Sequence, residues 1–195
     1  MPRPVATERR SVLLDAALDV VVQQGLRGLT HRAVDREAAV AEGTTSAYFR
    51  TRRALHHALA ERVTHRLADD VDEVVGDIGD GDPGRPEALA CVVDLFTGWL
   101  DESPLLQAKV ELTLESTRDA DLAAVLARER ERVVGLVASV LEARGSSEAR
   151  PRASVVVAAF DGILLAALTS APEERDGFVA DAVRLTLQPL SRKDG

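Results

Sequence analysis

The stretch AEGTTSAYFRTRRAL, residues Ala41–Leu55, brings small polar, aromatic and cationic side chains together within a few helical turns. Its first half, Gly43 to Ala47, is small, and the pair Tyr48 and Phe49 follows, although the whole chain holds one Trp, one Tyr and four Phe. A helix enters the major groove of DNA only with a slim leading face, because that groove is about 12 Å wide. The small side chains meet this requirement, and the arginines behind the aromatic pair suit the phosphate backbone.

A second short helix precedes this stretch. The segment HRAVDREA (residues 31–38) carries a small apolar face of Ala33, Val34 and Ala38, and Thr30 before it is a suitable N-cap. Two short helices joined by a tight turn form a helix-turn-helix unit, whose second helix lies in the major groove. The order of the two segments predicts this unit.

The predicted unit supplies hydroxyl, aromatic and cationic side chains for DNA contacts. Small hydroxyls such as that of Thr44 can bind base edges or phosphates, and the phenol of Tyr48 can reach a phosphate. Phe49 points about 100° away from Tyr48, so we assign it to the core under the motif. The N–H groups that begin the reading helix are expected to face phosphate. The expected DNA-contacting residues are Thr30, His31, Arg32, Gly43, Thr44, Thr45, Ser46, Tyr48, Arg50, Arg52 and Arg53.

Each of these residues also has a plain structural interpretation. An aromatic pair in a helical protein is often core, and clustered arginines are often a solvated face. The prediction rests on their conjunction inside the basic part of the chain. Residues 1–66 hold 11 Arg against 7 Asp and Glu, a net of +4, while residues 67–195 carry a net of −12, for −8 in all. Such asymmetry is typical of a basic binding module on an acidic body, although scatter would also produce a modest excess.

The composition favours helices and a reducing compartment. Hydrophobic residues make up 46% of the chain, and Ala, Leu, Val, Glu and Arg dominate. The single Cys91 excludes an internal disulfide. No signal-peptide pattern begins the chain, and the apolar run Val155–Leu168 is broken by Asp161 and is shorter than the roughly 20 residues that a membrane span requires. We therefore expect a soluble, cytoplasmic protein with no membrane partner.

Helical periodicity predicts an all-α fold of about nine helices with no strand. Gly25 is a plausible stop for the first helix, and Pro104 opens a later one. The segment Ser170–Glu173 matches a capping box before the last helix.

The sequence offers no metal, cofactor or catalytic motif. His56 and His57 diverge on a helix, and His57 and His65 are two turns apart, so neither pair can hold one ion. A nucleophile elbow, a phosphate loop and a dinucleotide fingerprint are all missing from the sequence. We therefore expect no cofactor, no metal ion and no enzymatic activity.

Residues 11–65 resemble the N-terminal domain of the TetR (tetracycline-repressor) family of transcriptional regulators. The segments that carry the resemblance are LLDAALDVVVQQGLRGLT, RAVDREAAV and GTTSAYFRTRRAL. The chain departs from the family pattern at four positions. Ala39 lies where Gly is frequent, Ala41 where a hydroxyl cap is usual, Glu42 where Lys is common, and Ser46 where Tyr is common. These departures predict a weaker helix cap and one phosphate contact fewer.

The resemblance implies a helix-turn-helix DNA-binding domain over residues 1–51 and a helical effector-binding and dimerisation domain over residues 52–195. The family's body holds an effector pocket, and the candidate lining residues here are Phe96, Trp99, Glu111, Glu115 and Phe160. The resemblance also implies a homodimer formed through the last two helices. The candidate interface residues are Val157, Asp161, Leu164, Leu165, Leu168, Phe178, Ala182 and Leu185, with Asp161 as a structural pair for an arginine or a ligand contact.

These observations predict a homodimeric regulator that binds a palindromic operator in double-stranded DNA and acts as a repressor released by a small molecule. Two other classes of protein stay open at this point. One is a helical ligand-binding protein or enzyme without DNA contact, and the other is a module that bridges protein partners through its last two helices.

Overall fold

The structure is a computed structural model that describes residues 6–79, 81–101 and 104–191. The prediction of an all-α fold is confirmed, because the described residues form nine α-helices and one short 3-10 turn and include no strand. The helices are α1 (Ala6–Gly28), α2 (His31–Glu37), α3 (Thr44–Tyr48), α4 (Arg52–Ile78), α5 (Pro86–Asp101), α6 (Pro104–Ser116), α7 (Ala120–Ala143), α8 (Ala149–Leu168) and α9 (Pro172–Leu187).

The helices form two compact units. The N-terminal unit contains residues 6–65 and 104–127, and the C-terminal unit contains residues 66–101, apart from residue 80, and 128–191. The functional division between residues 1–51 and 52–195 stays a prediction, since α6 and the start of α7 join the compact unit of the N-terminal helices.

The core of the N-terminal unit forms where α1 packs against α2 and α6, with α3 against α2. The fully buried side chains there are mostly leucine and valine at helical spacing, which explains why short helices of low propensity are held in place. They include Leu13, Val20, Leu29, Val34, Leu55, Leu59, Leu112 and Leu122.

In the C-terminal unit, α9 packs against α5 and α8, and α5 also contacts α8. One cluster joins α7 to α8 through Val134, Ala138, Leu141, Ala149, Ala153 and Val157. Val157 is therefore a core residue, only 7% exposed, and its assignment to the dimer interface is wrong. The same correction applies to Leu164, which is 5% exposed.

Two predicted helix ends have different outcomes. Gly25 breaks α1 as predicted, because its backbone has φ +67°, a value that residues other than glycine rarely adopt. The capping box before α9 is wrong. Ala171 is the N-cap of α9 and makes no side-chain cap, since the hydroxyl of Ser170 donates to the carbonyl of Ala166 at 3.1 Å instead.

Candidate functional site

Asp35 of α2 sets the start of α3. One of its oxygens accepts the N–H of Gly43 at 2.8 Å, and the other accepts the N–H and the hydroxyl of Thr45 at 2.7 and 2.5 Å. Burial opposes ionisation, but these hydrogen bonds and the charge of His31 outweigh it, so the pKa of Asp35 lies below its ordinary value of 3.8. A carboxylate in this position does the work of an N-cap side chain. The expectation of a weaker cap, drawn from Ala41, is therefore wrong.

Two predicted DNA contacts are corrected by the same geometry. Thr45 is 0% exposed and its hydroxyl is bound to Asp35, so this side chain cannot reach a base or a phosphate. The N–H groups of Gly43 and Thr45 are bound to the Asp35 carboxylate, and that of Thr44 donates to the Ala41 carbonyl at 3.1 Å. These three N–H groups therefore do not face phosphate as expected.

The other side of α3 faces solvent. Tyr48 is 37% exposed, Ser46 is exposed and Thr44 is half-buried. The Thr44 hydroxyl donates to the carbonyl of Ala41 at 2.6 Å, and the Ser46 hydroxyl donates to the carbonyl of Gly43 at 2.8 Å. Because each hydroxyl proton is engaged, these oxygens are left to accept hydrogen bonds. Hydroxyl oxygens of this kind can accept hydrogen bonds from the amino groups that adenine and cytosine present in the major groove, and the contact of Thr44 and Ser46 with DNA stays a prediction.

The turn between α2 and α3 is a Schellman-type C-cap that ends on an alanine. The N–H of Val40 donates to the carbonyl of Asp35 at 2.9 Å, and the N–H of Ala39 donates to that of Arg36 at 3.1 Å. This arrangement puts Ala39 at φ +50°, the left-handed region that favours glycine. The departure from glycine at position 39 therefore stores local backbone strain of about 1–2 kcal/mol.

Phe49 closes the small core beneath the motif. It is 4% exposed, which confirms its assignment to the core, and the guanidinium of Arg10 lies 5.4 Å from its ring centroid. Its carbonyl accepts a hydrogen bond from Nε2 of His31 at 2.6 Å. His31 thus ties the start of α2 to the end of α3, and Thr30 caps α2 by accepting the N–H of Ala33 at 3.1 Å, as predicted.

The cations around the motif differ in their surroundings. Arg32 pairs with the exposed Glu42 at 2.8 Å, so the acidic residue at the position where Lys is common lies against a predicted DNA-contacting cation. Arg53 pairs with Asp121 at the start of α7. Arg50 is exposed, immediately after the reading helix. The DNA contacts of Arg32, Arg50 and Arg53 stay predictions.

Arg52 holds the end of α1 in place. Its guanidinium donates to the carbonyls of Leu26 and Arg27, both at 3.0 Å, and its Nε donates to Nε2 of His56 at 3.2 Å. Burial of His56, followed by the nearby charge of Arg52, lowers the pKa of that imidazole below 6.5. Because Nε and one Nη of Arg52 donate within the fold, we assign this exposed side chain to structural support rather than to DNA contact.

Glu111 of α6 binds the same segment from another side. Its carboxylate accepts the N–H of Leu26 at 3.2 Å, next to the irregular backbone of Gly25. Glu111 therefore supports the end of α1, and its assignment to the effector pocket stays a prediction. Glu115, one turn further along α6, is half-buried, and its charge raises the pKa of His56, although burial dominates there.

Three aromatic residues come together in the C-terminal unit. Phe96 and Trp99 stack with ring centroids 5.7 Å apart, and Phe160 meets Phe96 edge-on at 5.0 Å. The indole N–H of Trp99 donates to a carboxylate oxygen of Asp70 at 2.7 Å. Phe96 is buried, whereas Trp99, Phe160 and Asp70 are half-buried. The structure therefore brings the three aromatic pocket candidates together, with Asp70 beside Trp99, and the effector pocket itself stays a prediction.

An apolar face stays exposed on α8 and α9. Val155 and Leu165 of α8 are 69% and 51% exposed, and Phe178 and Leu185 of α9 are 40% and 63% exposed. Of the remaining interface candidates, Leu168 and Ala182 are half-buried, and Asp161 pairs with Arg130 of α7 in the same chain. By length and composition alone, α8 is apolar enough to cross a membrane, and 28% of its most apolar stretch is buried.

Two protein-family models match the chain. The model described as "Bacterial regulatory proteins, tetR family" matches residues 13–59, and the model described as "Tetracyclin repressor-like, C-terminal domain" matches residues 83–189. No curated protein matches the sequence significantly.

Several solved structures are similar to this chain. A transcriptional regulator from Rhodococcus sp. Rha1 is 22% identical, with a TM-score of 0.79 over 93% of this chain and 95% of that chain. A TetR-like transcriptional regulator from Rhodococcus sp. RHA1 is 21% identical, with a TM-score of 0.65 over 98% and 96%. At these identities, both comparisons show that the fold is shared. The multidrug binding protein EbrR complexed with ethidium is 28% identical, with a TM-score of 0.71 over 95% of this chain and 99% of that chain.

Proposed function

The chain belongs to the TetR family of DNA-binding transcriptional regulators, which are not enzymes, and from this premise we propose that it is a homodimeric repressor that a small molecule releases from a palindromic operator. The observation that carries the proposal is the two-sided character of α3. Its inner face is fixed to α2 through Asp35, while Thr44, Ser46 and Tyr48 are left on the outer side. A reading helix needs this combination of a rigid support and a slim exposed face. Because its partner is DNA, we propose a cytoplasmic location.

Gel-shift titration with the DNA upstream of the protein's own gene tests the DNA-binding part. Tyr48→Ala should weaken binding to that DNA about tenfold, since the phenol is the largest exposed side chain of α3. Arg66→Ala, which removes an exposed cation from α4, serves as the control and should change binding less than twofold. Equal binding by Tyr48→Ala and the unchanged protein would contradict the assignment of Tyr48.

The homodimer is supported by the exposed face of α8 and α9. Along α8, Val155, Ala158, Gly162 and Leu165 recur at spacings of three and four, and all are exposed. A Cβ on Gly162 would meet nothing within 4 Å, so this part of the helix leaves room for the close approach of another backbone. A two-fold contact would bury the same stripe on both copies. It would also bring two α3 helices to one operator, and for this reason the proposed site is a palindrome.

A second copy suits this face better than a lipid bilayer does. Arg150 and Arg152 lie in the first turn of α8, and Asp161 lies further inside the helix, where it is paired with Arg130. Ionised groups in the centre of a membrane helix are costly, whereas the rim of a protein interface accepts them.

Release by a small molecule requires that effector binding change the placement of α3, the reading helix. In the N-terminal unit, α6 grips the end of α1 through Glu111 and Leu26. The start of α7 grips α4 through Arg53 with Asp121 and through His57 with Asp119, the latter at 3.4 Å. A ligand that favours one arrangement of α6 and α7 would change the affinity of the N-terminal unit for DNA, and the size of that change is the coupling free energy between ligand and DNA. The likeness to EbrR, solved with ethidium, supports a ligand-responsive body.

A further inference from the structure

His56 of α4 is a buried histidine beside the end of α1. It is 8% exposed, and its Nε2 accepts a hydrogen bond from Nε of Arg52 at 3.2 Å. Arg52 in turn donates to the carbonyls of Leu26 and Arg27 at the end of α1, both at 3.0 Å. The imidazole therefore positions the guanidinium that ties α4 to the segment leading into the helix-turn-helix unit.

The partners of three histidines set different requirements for the ring protons. Nε2 of His31 lies 2.6 Å from the carbonyl oxygen of Phe49, and Nε2 of His57 lies 3.4 Å from a carboxylate oxygen of Asp119. Both partners accept hydrogen bonds, so a protonated ring keeps these contacts. Nε2 of His56 instead faces an arginine N–H, so this nitrogen must carry no proton. Of these three histidines, only His56 loses its contact when the ring is protonated.

Protonation of His56 would break the link to Arg52. Two cations would then face each other across the 3.2 Å that the hydrogen bond spans now. Because the ring is buried, little water would screen the two charges. Glu115 of α6 acts on the same ring, and its negative charge favours the protonated form. A protonated imidazole is therefore repelled by Arg52 and attracted by Glu115.

The charged and titratable groups around His56 come from α4, from α6 and from the connection between α6 and α7, while the end of α1 contributes the two carbonyls. Burial has the largest effect and lowers the pKa of His56, and the charge of Arg52 lowers it further. Glu115 and Asp119 raise this pKa, and His57 lowers it. The pKa lies below the ordinary value of 6.5, so the native state binds this proton more weakly than the unfolded chain does. A fall in pH from 6.5 toward the folded-state pKa therefore lowers the free energy of unfolding through this group.

We propose that His56 is an acid-sensitive switch, which releases Arg52 from the end of α1 when it is protonated and so weakens operator binding. This inference rests on the proposed DNA-binding function and adds a form of regulation to it. Because α2 begins at His31, the carbonyls that Arg52 holds lie directly before the motif. Loss of this tie frees α2 and, through Asp35, the start of α3.

Simple electrostatics predicts the opposite dependence on pH. Histidines that gain a positive charge attract phosphate, so acid alone would strengthen DNA binding. A loss of binding on acidification therefore distinguishes the switch from a general charge effect.

Fluorescence anisotropy with the DNA upstream of the protein's own gene, from pH 7.5 to pH 5 at one ionic strength, tests the proposal. The unchanged protein should bind about fivefold more weakly at pH 5, or more weakly still. His56→Gln keeps an oxygen that can accept the N–H of Arg52 and cannot be protonated. It should bind as the unchanged protein does at pH 7.5 and change less than about twofold at pH 5.

His65→Gln is the matched control, since His65 is an exposed histidine on the same helix. It should lose affinity in acid as the unchanged protein does. An equal acid loss in His56→Gln, or no acid loss in the unchanged protein, would overturn the proposal. If His56→Gln does not fold, Arg52→Gln replaces it. With no guanidinium to release, this variant should bind weakly at pH 7.5 and show no further loss at pH 5, and a further loss would overturn the proposal equally.

Urea unfolding without DNA separates this proposal from the proposed function. As the pH falls below 6.5, the free energy of unfolding of the unchanged protein should fall relative to that of His56→Gln, but not relative to that of His65→Gln. This result in a chain that binds no DNA would contradict the DNA-binding function and leave the titration of His56 standing. Its absence in a chain that binds the operator would overturn the switch alone.

Discussion

The carboxylate of Asp35 accepts the N–H of Thr45 at 2.7 Å, so the first helix of the motif, α2, determines where the second, α3, begins. Asp35→Ala would leave the N–H groups of Gly43 and Thr45 and a buried hydroxyl without their acceptor. We expect it to lower the free energy of unfolding by about 3 kcal/mol and to abolish operator binding, because α3 loses its support. Urea unfolding followed by circular dichroism, together with gel shift, measures both effects. Asp19→Ala, at an exposed site of α1, is the control and should change stability by less than about 0.5 kcal/mol.

The same carboxylate makes stability depend on pH. Its pKa in the folded chain lies below the ordinary value of 3.8, so ionised Asp35 favours the native state above that value. The contribution is lost as the pH falls below 3.8 toward the folded-state pKa. The difference in free energy of unfolding between the unchanged protein and Asp35→Asn should therefore be constant from pH 7 to pH 5 and shrink below about pH 4. A difference that persists unchanged at pH 3 would show that the charge of Asp35 is not involved.

Ala39 offers a gain in stability. At φ +50° it occupies a conformation that costs alanine about 1–2 kcal/mol, and part of this cost is offset by the greater freedom of glycine in the unfolded chain. Ala39→Gly should raise the free energy of unfolding by about 0.5–1 kcal/mol, measured by urea titration. Gly43→Ala, at φ +91°, is the counterpart and should lower it by about 1–3 kcal/mol. A loss of stability in Ala39→Gly would show that the turn is not under strain.

How far the sequence predicts this structure depends on how local each contact is. Helix positions, the Thr30 cap and the break at Gly25 follow from neighbouring residues, and the structure has them. The roles of Arg52 and Glu111 do not follow from neighbouring residues, since each side chain binds the backbone of Leu26 from a distant part of the chain. The orientation of a five-residue helix is equally hard to predict. It has too few turns for periodicity to show which hydroxyl is buried. The one signal in the sequence is Ala41, which cannot cap the helix with its side chain and so indicates that another residue supplies the cap.

Arg50 and Arg52 are two positions apart, and we expect different roles for them. Arg50 is predicted to contact DNA, whereas Arg52 supports the fold. Arg50 is exposed, so Arg50→Ala should lower operator affinity and reduce the slope of log K against log salt by about 1, with stability unchanged. Arg52 donates to two carbonyls of α1, so Arg52→Ala should lower the free energy of unfolding by about 1–2 kcal/mol. Fluorescence anisotropy at several salt concentrations gives the slopes. A reduced slope for Arg52→Ala with full stability would restore Arg52 to the DNA contacts.

The exposed leucines of α8 and α9 provide the test of the homodimer. Leu165 and Leu185 are 51% and 63% exposed, which for side chains of this size is apolar surface that a second copy would remove from water. Leu165→Glu and Leu185→Glu should convert a dimer into a monomer in sedimentation velocity at micromolar concentration, because two-fold symmetry would place each new carboxylate twice in the interface.

Leu114→Glu is the matched control for this change. Leu114 of α6 is 61% exposed, so the same substitution adds the same charge at a comparably exposed site outside the proposed interface. It should leave the protein dimeric. The operator supplies the second readout, since a monomer should bind a palindrome far more weakly while a single half-site is bound as before. Dimers that survive both interface substitutions, or that Leu114→Glu disrupts equally, would place the contact between copies on another surface and leave the apolar face of α8 and α9 for a different partner.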